Sequence, residues 1–281
     1  MTSVSTDSAV SIPRLSSDES ADVRVTQTRV IASEWLKLRT LRSSWVTIVI
    51  AIAAMGGIGI LISWTTVNEW DHMRDRHRQH FNPLADPFAG FHLAQLAIGV
   101  LGVLLMAGEY SSGMIRASLS AVPKRLPVLW AKLGVYMTVA LLTMLPTAVI
   151  TFVLSQRILA TKKINIPWSY PGVTRSVIGL GLYLTVVAAL GIALGAILRN
   201  VAGAIAALVG ILLVIPVIAF ALPEVWANRI NKWLPSNAGQ ALMSFGSEST
   251  PLSPWRGFVV FCGYAVAAVL VAATILTRRD A

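Results

Sequence analysis

The run Gly108-Glu109-Tyr110-Ser111-Ser112-Gly113-Met114-Ile115-Arg116 mixes an acid, a base, an aromatic ring and two turn-forming glycines. It continues through Leu119 to Val122-Pro123-Lys124-Arg125 and then to Trp130-Ala131-Lys132. These residue types suit recognition, not bond-breaking. Met114, Ile115, Leu119 and Val122 can form one apolar face, which a partner would receive as a helix laid in a groove. Pro123 and the two cations after it turn the chain back. Arg116 and Lys124 suit a protein partner or phosphate headgroups equally. Glu109 reads either as part of this contact surface or as a carboxylate neutralising a neighbouring cation at a membrane boundary.

Residue types that do covalent or metal chemistry are thinly spread. His72, His77 and His80 crowd one polar segment beside Glu69, Asp71 and Asp75, but Arg74, Arg76 and Arg78 lie among them, so a solvated loop is expected and not a metal site. Cys262 is the single cysteine and lies in an apolar run, which excludes an internal disulfide and zinc-ligand spacing. The chain has no Gly-x-x-x-x-Gly-Lys-Ser/Thr loop, so nucleotide phosphates would have to be held by another polypeptide. No catalytic residue, bound metal or bound cofactor is expected, and the chain does not read as an enzyme.

The elements that must position these residues follow from composition. Of 281 residues, 55% are hydrophobic and 13% charged, and mean hydropathy is +0.69. A soluble domain carries about a quarter charged residues, so the chain is an all-α integral membrane protein. Its net charge of +10 is scattered along the sequence. That distribution fits lysines and arginines facing anionic lipid, and nucleic-acid binding is not expected.

Six stretches are long enough to cross a core of about 30 Å. They run over about 45–67, 88–107, 129–154, 176–198, 201–222 and 255–276. Residues 1–22 are rich in Ser, Thr and Asp and read as a disordered tail. Over 23–44, Val30, Ile31, Trp35, Leu38 and Leu41 recur at helical spacing between Arg29, Lys37, Arg39 and Arg42, the pattern of an amphipathic interfacial helix. The six-helix membrane body is 45–281. Cations before the first span, after the last and around 116–132 place both termini in the cytoplasm. The long outer segment 223–254 should form short helices that rest on or dip into the outer leaflet.

Within the spans, polar groups are few. Thr143, Thr147 and Thr151 share a face at spacing four, and Gln95 sits in the second span. They fit a substrate route or packing between helices, and packing is the simpler account. Gly191 and Gly195 suit close helix contact, and Pro146 and Pro216 should bend their helices. No span carries Asp, Glu, Lys or Arg near its midpoint, which disfavours an ion-coupled carrier.

Glu-Tyr-x-x-Gly-x-Ile-Arg, followed by Pro-x-Arg and an Ala-Lys entering the next helix, resembles the permease subunit of bacterial type-2 ABC exporters. The resemblance extends to Ser33-Glu34-Trp35-x-Lys37-Leu38-Arg39, the six spans and the long last outer loop. It implies a coupling segment at 109–125 docking on a separate ATPase, through Glu109, Tyr110, Gly113, Met114, Ile115, Arg116, Leu119, Pro123, Lys124 and Arg125. Glu34, Trp35, Lys37 and Arg39 would belong to an elbow helix beside it, and Arg199 and Asn200 to a shorter second contact. ATP and Mg would be held by that ATPase. A second permease half, identical or homologous, and membrane lipids would be the other partners, in the plasma membrane. A secondary transporter or channel, and a non-transporting anchor or sensor subunit, are the alternatives.

Overall fold

The computed structural model describes residues 26–111, 113, 126–221, 223, 229–244 and 252–278. The expected tail 1–22 therefore lies outside the described residues, as do Met114, Ile115, Arg116, Leu119, Pro123, Lys124 and Arg125. The described residues form helices and no strand. Within lipid every backbone amide must be paired inside its own segment, and helices do this.

Among the described residues the helices are, in chain order, α1 Gln27–Thr40, α2 Arg42–Glu69, α3 Asp75–His80, α4 Phe91–Ser111, α5 Leu126–Ala160, α6 Val173–Leu198, α7 Val201–Val209, α8 Ile215–Phe220, α9 Pro235–Gln240 and α10 Pro254–Arg278. A π-helical turn, Gly210–Val214, joins α7 to α8, so that the two make one span. Among the described residues six helices are long and apolar enough to cross a membrane. The third, α5, has 35 residues and overruns the expected 129–154 at both ends. Its first turns pack on α1, where Val30 meets Val128 and Ala131, and its last turns carry Gln156, which is bonded to two connections. The second span begins with a short 3-10 turn, Asp86–Phe88, so α4 starts only at Phe91. Pro216 follows the wide π turn, which accommodates the amide hydrogen that proline lacks.

Helices in lipid gain little from the hydrophobic effect and associate through close van der Waals contact. The α4–α6 pair shows how. A Cβ placed on Gly191 would lie 2.2 Å from the Gly99 carbonyl oxygen, and one on Gly102 2.7 Å from that of Ala188. The backbones touch because glycine leaves the space. α6 is the most enclosed span, with 83% of its apolar window buried against 17% for the α7–α8 span. The apolar surface of that fifth span, including Leu213, Val217 and Ile218, is left to lipid or to another protein.

At the end of the bundle away from α1, Gln156 clamps two connections. Its Nε2 donates to the Pro83 carbonyl at 2.6 Å and its Oε1 accepts from the Ile166 amide at 2.9 Å. Lys162 pairs with Asp71, so that acid of the histidine-rich loop is engaged by a cation. Among the described residues no three His, Cys, Asp or Glu side chains gather as a metal site would need.

Candidate coupling site at the inner end

Four charged side chains from three helices meet at the end of the bundle that carries α1. Lys132 of α5 donates to Glu34 of α1 at 2.6 Å and to Glu109 of α4 at 3.0 Å. Lys37 of α1 donates to the same two acids, at 2.7 Å to Glu34 and 2.9 Å to Glu109. Among the described residues, two acids and two bases join in one ring. Lys132 is only 3% exposed along its side chain and Glu34 4%, so the ring is internal and not a surface ornament. A buried charge persists only when it is paired and hydrogen-bonded, and here each partner sits on a different helix or a different turn.

The local sequence dictates this meeting. On α1, Val30, Glu34 and Leu38 recur at spacing four and are the residues that face inward. Gln27 Nε2 donates to the Pro127 carbonyl, fixing the start of α1 against the start of α5. α1 then breaks at Leu41, whose extended backbone redirects the chain into α2. Beside the ring lies a cavity of about 200 Å³, with Leu38, Leu104 and Tyr136 among its walls. Tyr136 closes its deep end and donates to the Ile98 carbonyl at 2.5 Å.

Burial alone would push the Glu34 carboxyl up, but the Lys132 ammonium beside it, with Lys37, holds it below its ordinary value of 4.5. Burial would likewise pull Lys37 down, and hydrogen bonds from its ammonium to Glu34 and Glu109 hold it above 10.5. The depressed acid stabilises docking above its unfolded value, and this is lost as pH falls through the folded one. The raised base stabilises docking below its unfolded value, and this is lost as pH rises through the folded one. Proteolytic clipping at the α1–α2 break should therefore be flat from about pH 5 to pH 10 and rise outside that window. A steep change near pH 7 would contradict this assignment of charges.

A second contact sits one turn further on. Arg199 ends α6 in the left-handed region, at φ 52°, with its amide on the Gly195 carbonyl. Its guanidinium lies over the Tyr110 ring at 5.0 Å and reaches the Ile275 carbonyl of α10 at 3.4 Å. Asn200 caps α7, its Oδ1 accepting from the Gly203 amide at 2.8 Å. Glu109, Tyr110, Arg199 and the ring thus form one block against the entry to segment 112–125. Gly113, at φ 72°, stands just beyond it.

Residues 30–217, two thirds of the chain, match a family model described as ABC-2 family transporter protein. The chain belongs to the ABC-2 family of transporter proteins. No curated protein matches it. With six membrane-crossing helices, it is a multi-pass transporter permease of a family that works with an ABC ATPase.

Of the residues singled out by sequence, this ABC-2 permease brings together Glu34, Lys37, Glu109 and Tyr110. Trp35 and Arg39 lie on the exposed side of α1; Trp35 helps to line a surface groove with Trp130. Thr143 and Thr147 donate to the Val139 and Thr143 carbonyls of their own helix, each at 2.7 Å. The Thr151 methyl fills the space above Gly59 of α2. The Thr143 and Thr147 hydroxyls are thus engaged by their own helix. Lys132, the cation that closes the ring, was legible only as the end of an Ala-Lys pair. Its signal was an otherwise unexplained ammonium entering an apolar helix, with two acids elsewhere on apolar faces.

Proposed function

We propose that this chain is one permease half of an ATP-driven exporter that moves a hydrophobic or amphipathic compound across the plasma membrane. A second half, identical or homologous, would complete the path, and both termini would be cytoplasmic. ATP and Mg would be bound on the partner ATPase. The observation that carries this reading is the ionic ring. It fastens α1 to both helices that flank segment 109–125, so force applied to that segment is delivered to α4 and α5 together and not dissipated in a loop. The apolar surface left on the fifth span supports a second half, and the scarcity of charge within the spans supports an apolar cargo.

Gentle-detergent purification of the tagged protein from its native host, with mass spectrometry of stoichiometric partners, tests the reading. A co-purifying ABC ATPase is expected, and it should be lost when residues 114–116 are scrambled in a protein that still inserts. A homogeneous permease with no ATPase across several detergents would overturn it in favour of an autonomous carrier.

A further inference from the structure

The helix that ends in Glu109 carries a second buried polar group about 21 Å away and on nearly the same face, fourteen residues earlier. Gln95 is fully buried, and its Oε1 accepts from the Tyr183 hydroxyl of α6 at 2.6 Å. The side chain of Gln240, the last residue of α9, lies near the same hydroxyl. The Tyr183 ring stacks on Phe261 of α10 at 5.0 Å and meets Phe91 of α4 edge-on at 6.0 Å. One phenol therefore joins three spans and the outer α9 segment.

That segment is seated backbone-first. A Cβ on Gly239 would lie 2.6 Å from Phe261 Cδ1 and 2.7 Å from the Tyr183 ring, and one on Gly257 2.5 Å from the Ala238 carbonyl oxygen. Apolar packing alone would be served by leucine at positions 95 and 240. Amides stand there instead, and Gln95 Nε2 is buried with no hydrogen-bond partner among the described residues. A buried amide with a spare donor is unfavourable when static. It suits a cluster with more than one arrangement, since the spare donor can take over when the phenol turns away.

We propose that Tyr183, held between Gln95 and Gln240, is a latch that keeps α9 closed against the α4–α6 pair, and that it releases when the transporter opens outward. The latch stands on its own geometry; its release in transport rests on the exporter reading above. Because α4 carries both Gln95 and Glu109, and the glycine contacts bind α4 to α6, a displacement of the inner ring reaches the latch through continuous helix.

The test uses Ser236 at the start of α9, which is fully buried. In a Cys262→Ala background, Ser236→Cys is reacted with a maleimide in detergent micelles, where both faces are open and no ATPase is needed. Tyr183→Phe and Gln240→Leu should each raise its labelling rate roughly three- to tenfold, the scale of one lost neutral hydrogen bond. Cys262, half-buried in α10, reports general loosening in parallel samples and should label at an unchanged rate. An unchanged Ser236→Cys rate in both variants, or a rise matched at Cys262, overturns the latch. Gln240→Leu, at the end of a six-residue helix, keeps the test decisive if Tyr183→Phe does not fold. In the complex with its ATPase, ATP should raise Ser236→Cys labelling; no response there would leave a static clasp and overturn the release step. Failure to obtain that complex would count against the exporter reading alone, because the micelle result is independent of it.

Discussion

Lys132→Met is expected to detach α1 and to reduce transport and ATPase co-purification at least about tenfold, since breaking one partner of a buried ion network typically costs about 3–5 kcal/mol. The ring explains the size of the effect. Lys132 serves Glu34 and Glu109 at once. Methionine fills its volume but removes the ammonium that both buried carboxylates share. Lys37→Met should be milder, because the Lys37 side chain is 28% exposed and water can compensate part of the loss. The decisive comparison is Lys132→Met with Glu109→Gln, which restores one acid to one base. That double variant should recover much of the protection of α1 from proteolysis while remaining poor in coupling. If Lys132→Met alone leaves α1 as protected as in the parent chain, the ring does not hold the inner end together.

Membrane architecture is the part of this protein most legible in its sequence, because the bilayer is a strict filter. Twenty apolar residues in a row have almost no alternative to a spanning helix, and six helices long and apolar enough to cross a membrane are present among the described residues. The extension of α5 to 35 residues was not legible, since its inner turns are stabilised by α1, a partner a hundred residues earlier. The site was half legible. Glu34, Lys37 and Glu109 draw notice as charges among apolar neighbours, but pairing across separations of 72 and 98 residues is set by how helices cross. Gln95 was visible as a polar group within a span. Its link through Tyr183 to α9 was not, because tyrosine and glutamine in apolar runs announce no partner.

The ring and the glycine contacts answer different mechanical needs. The ring is directional, so it specifies one seating of α1 and resists slow drift. Glycine contacts have no charge to satisfy; they hold two backbones so close that α4 and α6 must move together. A transporter that converts an event at its inner end into opening at its outer end requires both, a defined grip and a stiff rod.

The rod is where the second large effect is expected. Gly191→Ala should lower the melting temperature of the detergent-solubilised protein and abolish most transport, although alanine is normally the better helix residue by about 0.8–1.0 kcal/mol. The added methyl would meet the Gly99 carbonyl oxygen at 2.2 Å and the Gly102 Cα at 3.3 Å. Both are backbone atoms and cannot rotate away, so α4 and α6 must separate, at a cost of about 1–3 kcal/mol or more. Gly99→Ala is the instructive contrast, because its methyl would press first on the Leu208 side chain at 2.5 Å, which can change rotamer. Gly134→Ala meets nothing within 4 Å and should be neutral or slightly stabilising. The expected order of melting temperature is Gly134→Ala at or above the parent, then Gly99→Ala, then Gly191→Ala lowest. A Gly191→Ala protein that melts with the parent would mean that α4 and α6 do not touch through their backbones, and the stiff connection between Glu109 and Gln95 would lose its physical basis.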